Sequence, residues 1–514
     1  MAKRRWLLSL IVGMLMLAVG FASLGQNDGG SITIAVMAEP DGLNLMLTPA
    51  AAAMQIVMYN IVEPLMRYTA DGDLVPLLAS SYDVEEVGDG VHYTFYLRPD
   101  VRFHDGTLLT AEDVKYTWDT LYAPETGSPN VTTASALERV VVVDDHTVRF
   151  ELSEVVASFL DGVAAGKGVG IVPAGSSIDE LRTHPIGTGP FKFASWTAGD
   201  QIVLAKNEDY WQAGLPHLDE VTFKFIPDQA ASLNALLAGD IDMIDLMLPE
   251  NALQIEEDPR FKVVSGAQNL VQHLIFNSAR APFDNVLVRR AINFAIDREE
   301  IIVGTNFRSE WGSAIASHMP PQNPYYVDLT GMYPHDPEKA KALLTLAGYP
   351  NGFTTTIYLP APYTYHVRTG EIIADQLAEV GINCQLEIVE WGVWIDQIYS
   401  QWDYDMTVIA GDLGMDPAAG FVKPFMNVDE EGNSLYYWQY ADPFVRELLE
   451  AGMASTDIAE RKIIYAQVQT LVASDAVLAW IQCPHELQGM RAEIMGYRKL
   501  PIYVMDLQTL YIAE

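Results

Sequence analysis

The stretch YTFYLRPDVRFHDGTLLTAEDVKYTWD, residues 93–119, contains a strand, a turn and the start of a helix in direct succession. It opens as a β-strand, because side chains at alternate positions share a face and Tyr93, Phe95 and Leu97 fall on the same one. Pro99 then ends the strand, since proline has no N–H to donate to a neighbouring strand. The pattern therefore predicts a half-buried strand that stops before Pro99.

The second half of the stretch turns and begins a helix. Asp105-Gly106 is a turn dipeptide, in which glycine supplies a positive φ at little steric cost. Thr110 occupies the N-cap position of the helix, and Asp113 lies at the capping-box position three residues later. His104 and Asp105 are adjacent, whereas a pair of metal ligands on a helix prefers a spacing of i and i+4. We therefore interpret this segment as a corner of the chain rather than as a catalytic or metal site.

Length and composition set the class of protein. At 514 residues the chain exceeds one ordinary hydrophobic core, and it predicts two or three folding units. Hydrophobic residues make up 49% and charged residues 19%, which is typical of a globular chain. The formal net charge of −37 repels nucleic acid and anionic lipid, so neither is an expected partner.

The N-terminal segment has the pattern of a secretory signal. Lys3, Arg4 and Arg5 precede an apolar run over residues 7–21, and small residues then allow cleavage near Gly25. The apolar run is short for a full membrane span. It is followed by no cysteine of the kind that carries a bacterial lipid anchor. We therefore expect residues 1–25 to be a signal peptide and the mature chain to be exported to the periplasm or the extracytoplasmic face of the membrane.

The two cysteines, Cys384 and Cys483, would both lie in an oxidising compartment if the chain is exported. Their separation in sequence does not reveal whether their Cα atoms are close enough for a disulfide. The sequence leaves open a disulfide bond and two separate buried thiols.

Short strand-like runs alternate with helices along the rest of the chain, beginning with the strand SITIAV at residues 31–36. Asp284, Asp297 and Asp336 each precede a run with helical spacing of apolar residues and are predicted N-caps. Gly239 is predicted to end a helix, because glycine readily adopts the left-handed conformation found at helix C-termini. The alternation predicts a mixed α/β fold rather than a helical bundle or a β-sandwich.

Seven motifs in this order resemble the extracellular solute-binding proteins of peptide- and nickel-type ABC importers. The motifs are VEPLMRYTADGDLVPLLASSYDV, the stretch from residue 93, PIGTGPFKF, KNEDYWQAGLPHLDEVTFKFI, LLAGDIDMID, FDNVLVRRAINFAIDREEII and DPEKAKALLTLAGY. Each motif consists mostly of turn and helix-capping residues and is weak on its own. Seven of them in the same order between residues 62 and 349 are a strong signal. The resemblance extends from about residue 31 to the C-terminus.

The resemblance implies a two-lobed periplasmic-binding-protein fold of type II, a Venus flytrap, with an extra subdomain on the first lobe. The implied parts are lobe one (residues 31–62, 187–270 and 484–514), the extra subdomain (63–186) and lobe two (271–483). The segment around Asp105 would then be a framework feature of the extra subdomain, remote from any chemistry.

An enzyme is the rival class of protein. The sequence contains no GxSxG, HExxH or Walker GxxxxGK[ST] motif. Cys483 and His485 are two positions apart with Pro484 between them, which is a poor arrangement for a nucleophile and its base. We therefore expect a non-catalytic binding protein, with a secreted hydrolase as the alternative from another class.

The predicted ligand-binding segment is residues 391–442, in which aromatic side chains are interleaved with aspartates. Aromatic faces beside a few polar groups are typical of a small-molecule cleft, although about half of these rings would simply pack the core. Gly411, Gly414 and Gly420 would let the backbone approach a ligand closely. The candidate ligand contacts are Asp412, Asp416, Trp391, Trp394, Phe421 and, from outside this segment, Tyr363.

The resemblance limits the choice of ligand. Peptide-binding members hold the peptide's amino terminus with an Asp four residues before a Pro, but here Asp412 lies five before Pro417 and Leu413 occupies the expected position. In the dipeptide-binding branch an Arg precedes a Pro-Tyr pair, whereas here Ala361 precedes the pair that ends in Tyr363. The His or Arg residues of a nickel carrier have no clear counterpart. These departures weaken a dipeptide ligand and favour a longer peptide, with an oligosaccharide as the alternative.

The resulting hypothesis is a substrate-binding component of an ABC importer. It would capture an oligopeptide between two lobes and deliver it to a membrane permease with ATPase subunits. We expect a monomer with no cofactor, no metal ion and no nucleic-acid partner.

Overall fold

The computed structural model describes residues 26–27, 29–48, 50–130, 136–164 and 170–513. The predicted signal peptide, residues 1–25, lies outside the described residues. Within the part of the chain that is described, no helix combines the length and the apolar character needed to cross a membrane.

The strands are numbered in chain order. They are β1 (Gln26–Asn27), β2 (Ser31–Val36), β3 (Met66–Tyr68), β4 (Leu74–Pro76), β5 (Ala79–Val87), β6 (Gly90–Leu97), β7 (Leu137–Asp144), β8 (Thr147–Leu152), β9 (Phe191–Thr197), β10 (Gln201–Lys206), β11 (Glu220–Phe225), β12 (Met243–Ile244), β13 (Phe261–Ala267), β14 (Leu270–Phe276), β15 (Gly312–Ala314), β16 (Phe353–Pro360), β17 (Ile382–Val389), β18 (Met406–Asp412), β19 (Leu478–Arg491), β20 (Ile494–Met495) and β21 (Tyr511–Ala513).

The α-helices alternate with these strands. They are α1 (Ala51–Val57), α2 (Ala111–Tyr122), α3 (Phe159–Ala164), α4 (Ile178–Leu181), α5 (Gln229–Ala238), α6 (Pro249–Glu256), α7 (Val286–Ala295), α8 (Arg298–Asn306), α9 (Pro337–Leu346), α10 (Thr364–Glu379), α11 (Trp391–Val393), α12 (Pro417–Met426), α13 (Pro443–Ala454) and α14 (Ile458–Ser474). A π-helix, Trp394–Ser400, continues α11.

One large mixed sheet runs through the molecule, with its strands in the order β17-β16-β18-β14-β19-β12-β2-β11-β10-β9. The 14-residue strand β19 pairs with β14 along its first part and with β13 and β12 along its last part. Because β19 changes partners along its length, it connects the part of the sheet that contains β14 with the part that contains β12 and β2. The predicted lobe boundaries after residues 270 and 483 fall in this joining region, and the partition into lobes stays a prediction.

The opening stretch folds as its residue pattern predicts. Strand β6 lies between β5 and β8 in a four-stranded antiparallel sheet, and helix α2 begins after Thr110. Asp113 Oδ2 accepts hydrogen bonds from the Thr110 backbone N–H at 2.7 Å and from its hydroxyl at 2.8 Å. Asp113 Oδ1 also accepts from the Ala174 N–H at 2.8 Å, so the helix cap fixes a distant loop as well.

His104 is a framework residue in the structure. Its Nε2 bonds the Gly189 carbonyl at 3.0 Å, and its Nδ1 accepts from the Gly187 N–H at 3.3 Å. Burial lowers the pKa of this imidazole to about 4, which matches a neutral ring with one donor and one acceptor nitrogen. The histidine thus ties the corner of residues 101–110 to the glycine-rich crossing at residues 185–190.

Glu63 forms a second buried framework node. Its carboxylate, with only 1% of the residue exposed, accepts hydrogen bonds from Thr188 Oγ1 at 2.8 Å, Tyr210 Oη at 2.8 Å and Trp211 Nε1 at 3.0 Å. Burial raises the pKa of Glu63 to about 7 despite these three donors. Residues from three of the seven sequence motifs therefore converge on one carboxylate.

The helix caps follow the sequence with one exception. Asp297 and Asp336 cap α8 and α9, and Gly239 ends α5 with a φ of 82°. The predicted cap Asp284 is wrong, because helix α7 begins one residue later and Asn285 Oδ1 accepts the Leu287 N–H at 2.9 Å. The Asp284 N–H bonds the Arg280 carbonyl at 3.1 Å, so Asp284 belongs to the preceding turn.

Both cysteines are free thiols in this structure. Cys483 is fully buried and its Sγ donates to the Gln268 carbonyl at 3.0 Å, while Cys384 is partly buried on strand β17. Burial raises the pKa of each thiol to about 12, so both are protonated and unreactive at neutral pH. Of the two alternatives that the sequence leaves open, the structure has separate thiols.

Candidate functional site

Three parallel strands end at the same edge of the large sheet. Strand β16 pairs in parallel with both β17 and β18. Tyr363 follows the end of β16, Trp391 follows the end of β17, and Asp412 is the last residue of β18. Ligands of open α/β sheets bind at the carboxyl ends of their strands. The topology therefore brings three of the predicted contacts to one edge, although 49 positions of sequence separate Tyr363 from Asp412.

A cavity of about 220 Å³, here called the central cavity, lies beside this edge. Its walls come from predicted lobe one, the extra subdomain and predicted lobe two: Ala51, Met54, Tyr68, Asp161, Gln268, Asn269, Asp412, Gly414, Met415, Glu486, Lys499, Pro501, Ile502 and Tyr503. Three carboxylates and one ammonium group line it, so its charge favours a cationic ligand group.

Two further cavities adjoin the central one. The subdomain cavity, of about 220 Å³, shares Tyr68, Asp161 and Met415 with it and extends towards Arg461. The aromatic chamber, of about 340 Å³, shares Asp412 with it and lies within predicted lobe two. The three neighbouring cavities are here called the cleft, and Asp412 lines two of them.

Asp412 is an exposed carboxylate that lines both the central cavity and the aromatic chamber. Its Oδ1 accepts the Gly414 N–H at 3.0 Å and lies 3.4 Å from Asn269 Nδ2. No basic side chain among the described residues forms an ion pair with it. The charge of Asp412 is therefore available to a ligand from the central cavity or from the aromatic chamber.

Asn269 supplies a second acceptor next to Asp412. The residue is 6% exposed, and its Oδ1 has no hydrogen-bond partner among the described residues. A buried amide oxygen without a partner is costly, so a ligand N–H that reaches it gains a favourable bond. Asn269 is not among the contacts predicted from the sequence, although the polar pair at positions 268–269 lies between two strand-like runs at the predicted lobe boundary.

Asp416 is buried in an ion pair. Its Oδ2 lies 2.8 Å from Arg461 Nη1 and its Oδ1 lies 3.0 Å from Arg461 Nη2, with about one twentieth of each side chain exposed. Asp416 Oδ1 also accepts the Ala418 N–H at 2.9 Å and so caps helix α12. Both carboxylate oxygens therefore have protein partners already.

Arg461 joins several parts of the cleft wall. Its Nε donates to the Gly452 carbonyl at 3.0 Å and its Nη1 to Tyr325 Oη at 2.9 Å. The Asp416 carboxylate raises the pKa of Arg461 above its usual value against the opposing effect of burial. The guanidinium is thus a fixed structural cation on which the loop at residues 412–417 rests.

The two predicted tryptophans stack on each other. Their ring centroids are 5.1 Å apart with an angle of 6° between the planes. Trp394 is 3% exposed and donates from Nε1 to Thr407 Oγ1 at 3.0 Å, whereas Trp391 is 38% exposed and meets Tyr363 edge-on at 5.3 Å. Trp391 and Tyr363 therefore keep exposed surface, while Trp394 packs in the core behind Trp391. Trp391 lines the aromatic chamber, whereas Tyr363 lines none of the three cavities.

Phe421 packs in the core of predicted lobe two. It is completely buried, with the His318 ring at 4.7 Å and the Tyr465 ring at 6.0 Å. The glycines of this segment have different roles. A Cβ on Gly414, whose φ is 67°, would lie 2.7 Å from the Ala419 Cβ, while a Cβ on Gly411 would meet nothing closer than 3.9 Å. Gly414 thus permits the turn of the loop, and Gly411 leaves room in the chamber.

The opposite wall carries a buried ion pair that the sequence analysis did not single out. Lys499 Nζ lies 2.5 Å from Glu486 Oε2, and the side chains are 5% and 11% exposed. Asp245 lies behind this wall, 6% exposed, with its Oδ2 accepting Gln55 Nε2 at 2.8 Å. Burial raises the pKa of Asp245 to about 7, and the nearby Lys499 only partly opposes this effect.

Within the described residues, no group of three or more His, Cys, Asp or Glu side chains could hold a metal ion. The arrangement instead combines acceptor groups, one exposed carboxylate and aromatic walls, which suits a ligand that carries an amine and apolar groups.

The family model for bacterial extracellular solute-binding proteins, family 5 Middle, matches residues 73–433. The chain therefore belongs to the bacterial extracellular solute-binding proteins of family 5. The family serves as the ligand-binding component of ABC importers, and the resemblance seen in the sequence motifs is confirmed.

Several curated relatives align over most of the chain. A glutathione-binding protein GsiB from Pectobacterium atrosepticum is 27% identical and covers 90% of each chain. A heme-binding protein A from Haemophilus influenzae is 29% identical over 84% of this chain and 82% of its own length. A di/tripeptide-binding protein 2 from Pseudomonas aeruginosa is 26% identical over 97% and 98%. The relatives are solute-binding proteins with different ligands.

Solved structures confirm the fold class. The ABC transporter substrate-binding protein CtaP from Listeria monocytogenes aligns with a TM-score of 0.82 at 26% identity, over 95% of this chain and all of its own. The periplasmic binding protein DppA from Helicobacter pylori, in complex with the peptide STSA, aligns with a TM-score of 0.70 at 26% identity, over 95% and 99%. The mixed α/β periplasmic-binding-protein fold expected from the motifs is thus correct.

Proposed function

We propose that this protein is the substrate-binding component of an ABC importer for oligopeptides. It acts outside the cytoplasmic membrane without catalysing a reaction, and it hands its ligand to a permease with ATPase subunits. The observation that carries the choice of ligand is a pair of neighbouring acceptors: the exposed Asp412 carboxylate, which has no ion-pair partner among the described residues, and the unpartnered Asn269 Oδ1.

The peptide ammonium group is the ligand feature that matches these acceptors. It carries one positive charge and three N–H donors, so it can pair with Asp412 and donate to Asn269 at the same time. A charge-assisted hydrogen bond of this kind contributes about 1.5–3 kcal/mol. Asp416 is not the ammonium site in this proposal, because Arg461 and the Ala418 N–H already occupy its oxygens.

The walls of the central cavity support a closing mechanism. They come from segments on both sides of the joining strand β19, with Glu486 and Lys499 facing the loop that carries Asp412 and Gly414. A ligand that contacts both walls binds better when they approach each other, and it therefore shifts the population towards a closed form.

The test compares free and blocked amino termini by isothermal titration calorimetry. A tetrapeptide with a free amino terminus should bind, and its N-acetylated form should bind at least about 10-fold more weakly, since one lost charge-assisted bond is worth that much. Asp412→Asn should weaken the free peptide by a similar factor. Asp240→Asn, an exposed carboxylate that lines none of the three cavities, is the matched control and should change nothing.

An oligosaccharide is the second candidate ligand, favoured by the exposed face of Trp391 stacked on Trp394. Sugar rings stack on aromatic faces and carry no ammonium group. Trp391→Ala would then weaken binding more than Asp412→Asn does. Binding of a sugar panel with no binding of tri- to pentapeptides would replace the peptide proposal with this one.

A further inference from the structure

The aromatic chamber is lined by a histidine whose Nδ1 has no hydrogen-bond partner among the described residues. His273 lies on the central strand β14, is 2% exposed and lines the chamber. Its Nδ1 is buried and unpartnered among the described residues. The Nε1 of Trp438, which also lines the chamber and is 3% exposed, is unpartnered as well. Buried polar atoms in folded proteins nearly always have partners, so this pair points to a missing occupant.

The neighbouring histidines show that His273 is the exception. His318 Nε2 bonds the Gly420 carbonyl at 3.0 Å and its Nδ1 accepts from Trp480 Nε1 at 3.3 Å. His366 Nδ1 lies 2.9 Å from Gln272 Nε2. Burial lowers the pKa of His273 well below its usual value, and the nearby His318 and His366 lower it further. His273 is therefore a neutral imidazole, with the capacity both to donate and to accept one hydrogen bond.

The charges of the chamber select a neutral occupant. Asp412 at its mouth and Lys423 are the only fully charged side chains that line it among the described residues. Lys423 bonds Tyr399 Oη and lies 5.9 Å from the centre of the Tyr436 ring, so it stands over the aromatic wall. An anionic ligand group would be repelled by Asp412 as it enters, and a cationic group would be repelled by Lys423. An uncharged ring avoids both costs and buries its surface against aromatic side chains.

The position of the chamber relates it to the amino terminus of a peptide. Asp412 belongs to both the central cavity and the chamber. A peptide whose ammonium group is held by Asp412 therefore places the side chain of one of its first two residues at the chamber mouth. The volume of about 340 Å³ leaves room for a large side chain.

We propose that the aromatic chamber is a specificity subsite for an aromatic side chain with a polar edge, tyrosine or tryptophan, on one of the first two residues of the peptide. The ring stacks among the chamber's aromatic side chains, and its O–H or N–H bonds the His273 imidazole. The proposal rests on the proposed peptide function and narrows its substrate class.

The experiment measures affinities of free-amino tetrapeptides by calorimetry. Ala-Tyr-Ala-Ala and Tyr-Ala-Ala-Ala are compared with the same sequences carrying phenylalanine and with tetra-alanine. At least one tyrosine peptide should bind at least about 10-fold more tightly than tetra-alanine, because burial of an aromatic ring is worth that factor or more. The corresponding phenylalanine peptide should bind about 2- to 10-fold more weakly than the tyrosine peptide, because it lacks one hydrogen bond.

Two variants separate the chamber from the rest of the cleft. His273→Leu keeps an apolar side chain of similar size and should abolish the preference for tyrosine over phenylalanine. Trp391→Ala, at the 38%-exposed mouth, should reduce the preference for aromatic peptides over tetra-alanine and does not depend on a buried position. Trp196→Ala is the control, since Trp196 bonds Glu39 at 2.8 Å outside all three cavities.

The outcomes distinguish the two proposals. Equal affinities for tyrosine peptides and tetra-alanine would overturn the subsite and leave the peptide function standing. No binding of any tetrapeptide would overturn both. A tyrosine preference that survives in His273→Leu would show that water alone satisfies the imidazole, and it would overturn the role of His273.

Discussion

At the scale of single residues, the environment of a side chain decides its role more than its type does. Asp412 and Asp416 are four positions apart on one loop, yet one is exposed in the cleft and the other is buried against Arg461. Removing one partner of a buried ion pair destabilises the folded protein, because the remaining charge is then buried without a partner and without water around it.

Arg461→Leu should therefore lower the free energy of unfolding by about 3–5 kcal/mol. Arg260→Leu is the matched control. Arg260 pairs with Asp258 at 2.6 Å, but 64% of its side chain is exposed, so that loss should stay below about 1 kcal/mol. Urea unfolding followed by circular dichroism measures both. Equal losses in the two variants would contradict the structural role of the Arg461 pair.

The raised pKa of Asp245 predicts that this residue makes stability depend on pH. Its pKa rises from 3.8 to about 7 on folding, so between these values the folded protein binds more protons than the unfolded one. The contribution of Asp245 to stability therefore falls as the pH rises through that window. The charged groups that face Asp245 are Lys499 and Glu486, and Tyr497 lies near it as well.

Asp245→Asn should weaken this decline and stabilise the protein at pH 8 relative to the wild type, because the amide needs no proton. A residual slope should remain, since Glu63 has a raised pKa of about 7 as well. Unfolding free energies measured from pH 4.5 to 8 test this. The same change of stability between pH 4.5 and 8 in the wild type and in Asp245→Asn would contradict the assignment, because the buried histidines, whose pKa values are lowered, contribute equally to both proteins.

At the scale of secondary-structure elements, capping residues link local sequence to tertiary contacts. Asp113 serves helix α2 through Thr110 and a distant loop through the Ala174 N–H. The same carboxylate thus does what the local pattern predicts and also forms a contact 61 residues away, which no local pattern encodes.

Thr110→Ala should lower the free energy of unfolding by about 1 kcal/mol, the usual effect of an N-cap loss. Asp113→Ala should cost more, at least about 2 kcal/mol, since it also leaves the Ala174 N–H without an acceptor. Glu112→Ala, an exposed change in the same helical turn, should stay within about 0.5 kcal/mol. Chemical denaturation ranks the three, and a smaller loss for Asp113→Ala than for Thr110→Ala would refute the double role.

At the scale of the whole molecule, the proposed closure of the cleft requires that the contacts between the predicted lobes be weak. Ion pairs cross between the predicted lobes on one side of it, from helix α6 to Arg368 and Arg308 through Glu250 and Glu256, each at 2.6 Å. These side chains are about one third or more exposed, so each pair contributes little and does not lock the lobes.

Binding of a peptide should therefore compact the molecule and stabilise it. At a ligand concentration 100-fold above Kd the gain is about 2.7 kcal/mol by mass action. Small-angle X-ray scattering should show a smaller radius of gyration with the free-amino peptide, and its N-acetylated form should need an at least about 10-fold higher concentration to produce the same change. Stabilisation without compaction would count against lobe closure and not against binding.

The sequence alone determined the elements, their caps and the family. The strand at residues 93–97, the caps Thr110, Asp297 and Asp336 and the α/β class depend on neighbouring residues, whose spacing sets backbone conformation directly. The helix cap predicted at Asp284 is wrong by one residue, because the adjacent Asp284 and Asn285 side chains can both cap a helix. The loop at residues 411–417 is also marked in the sequence by its glycines and aspartates, and its role in ligand binding stays a prediction.

Only the tertiary structure decided which groups of that loop are available. Asp416 is neutralised by Arg461, which lies 45 residues further along the chain, and Asn269 approaches Asp412 across 143 residues. Phe421 and Trp394 became core, while Trp391 kept an exposed face. The sheet decides which distant segments meet, and so which side chains are paired or buried. The availability of a charged group or an aromatic face to a ligand depends on that pairing and burial. A one-dimensional pattern contains the side chains of a binding site but not their partners.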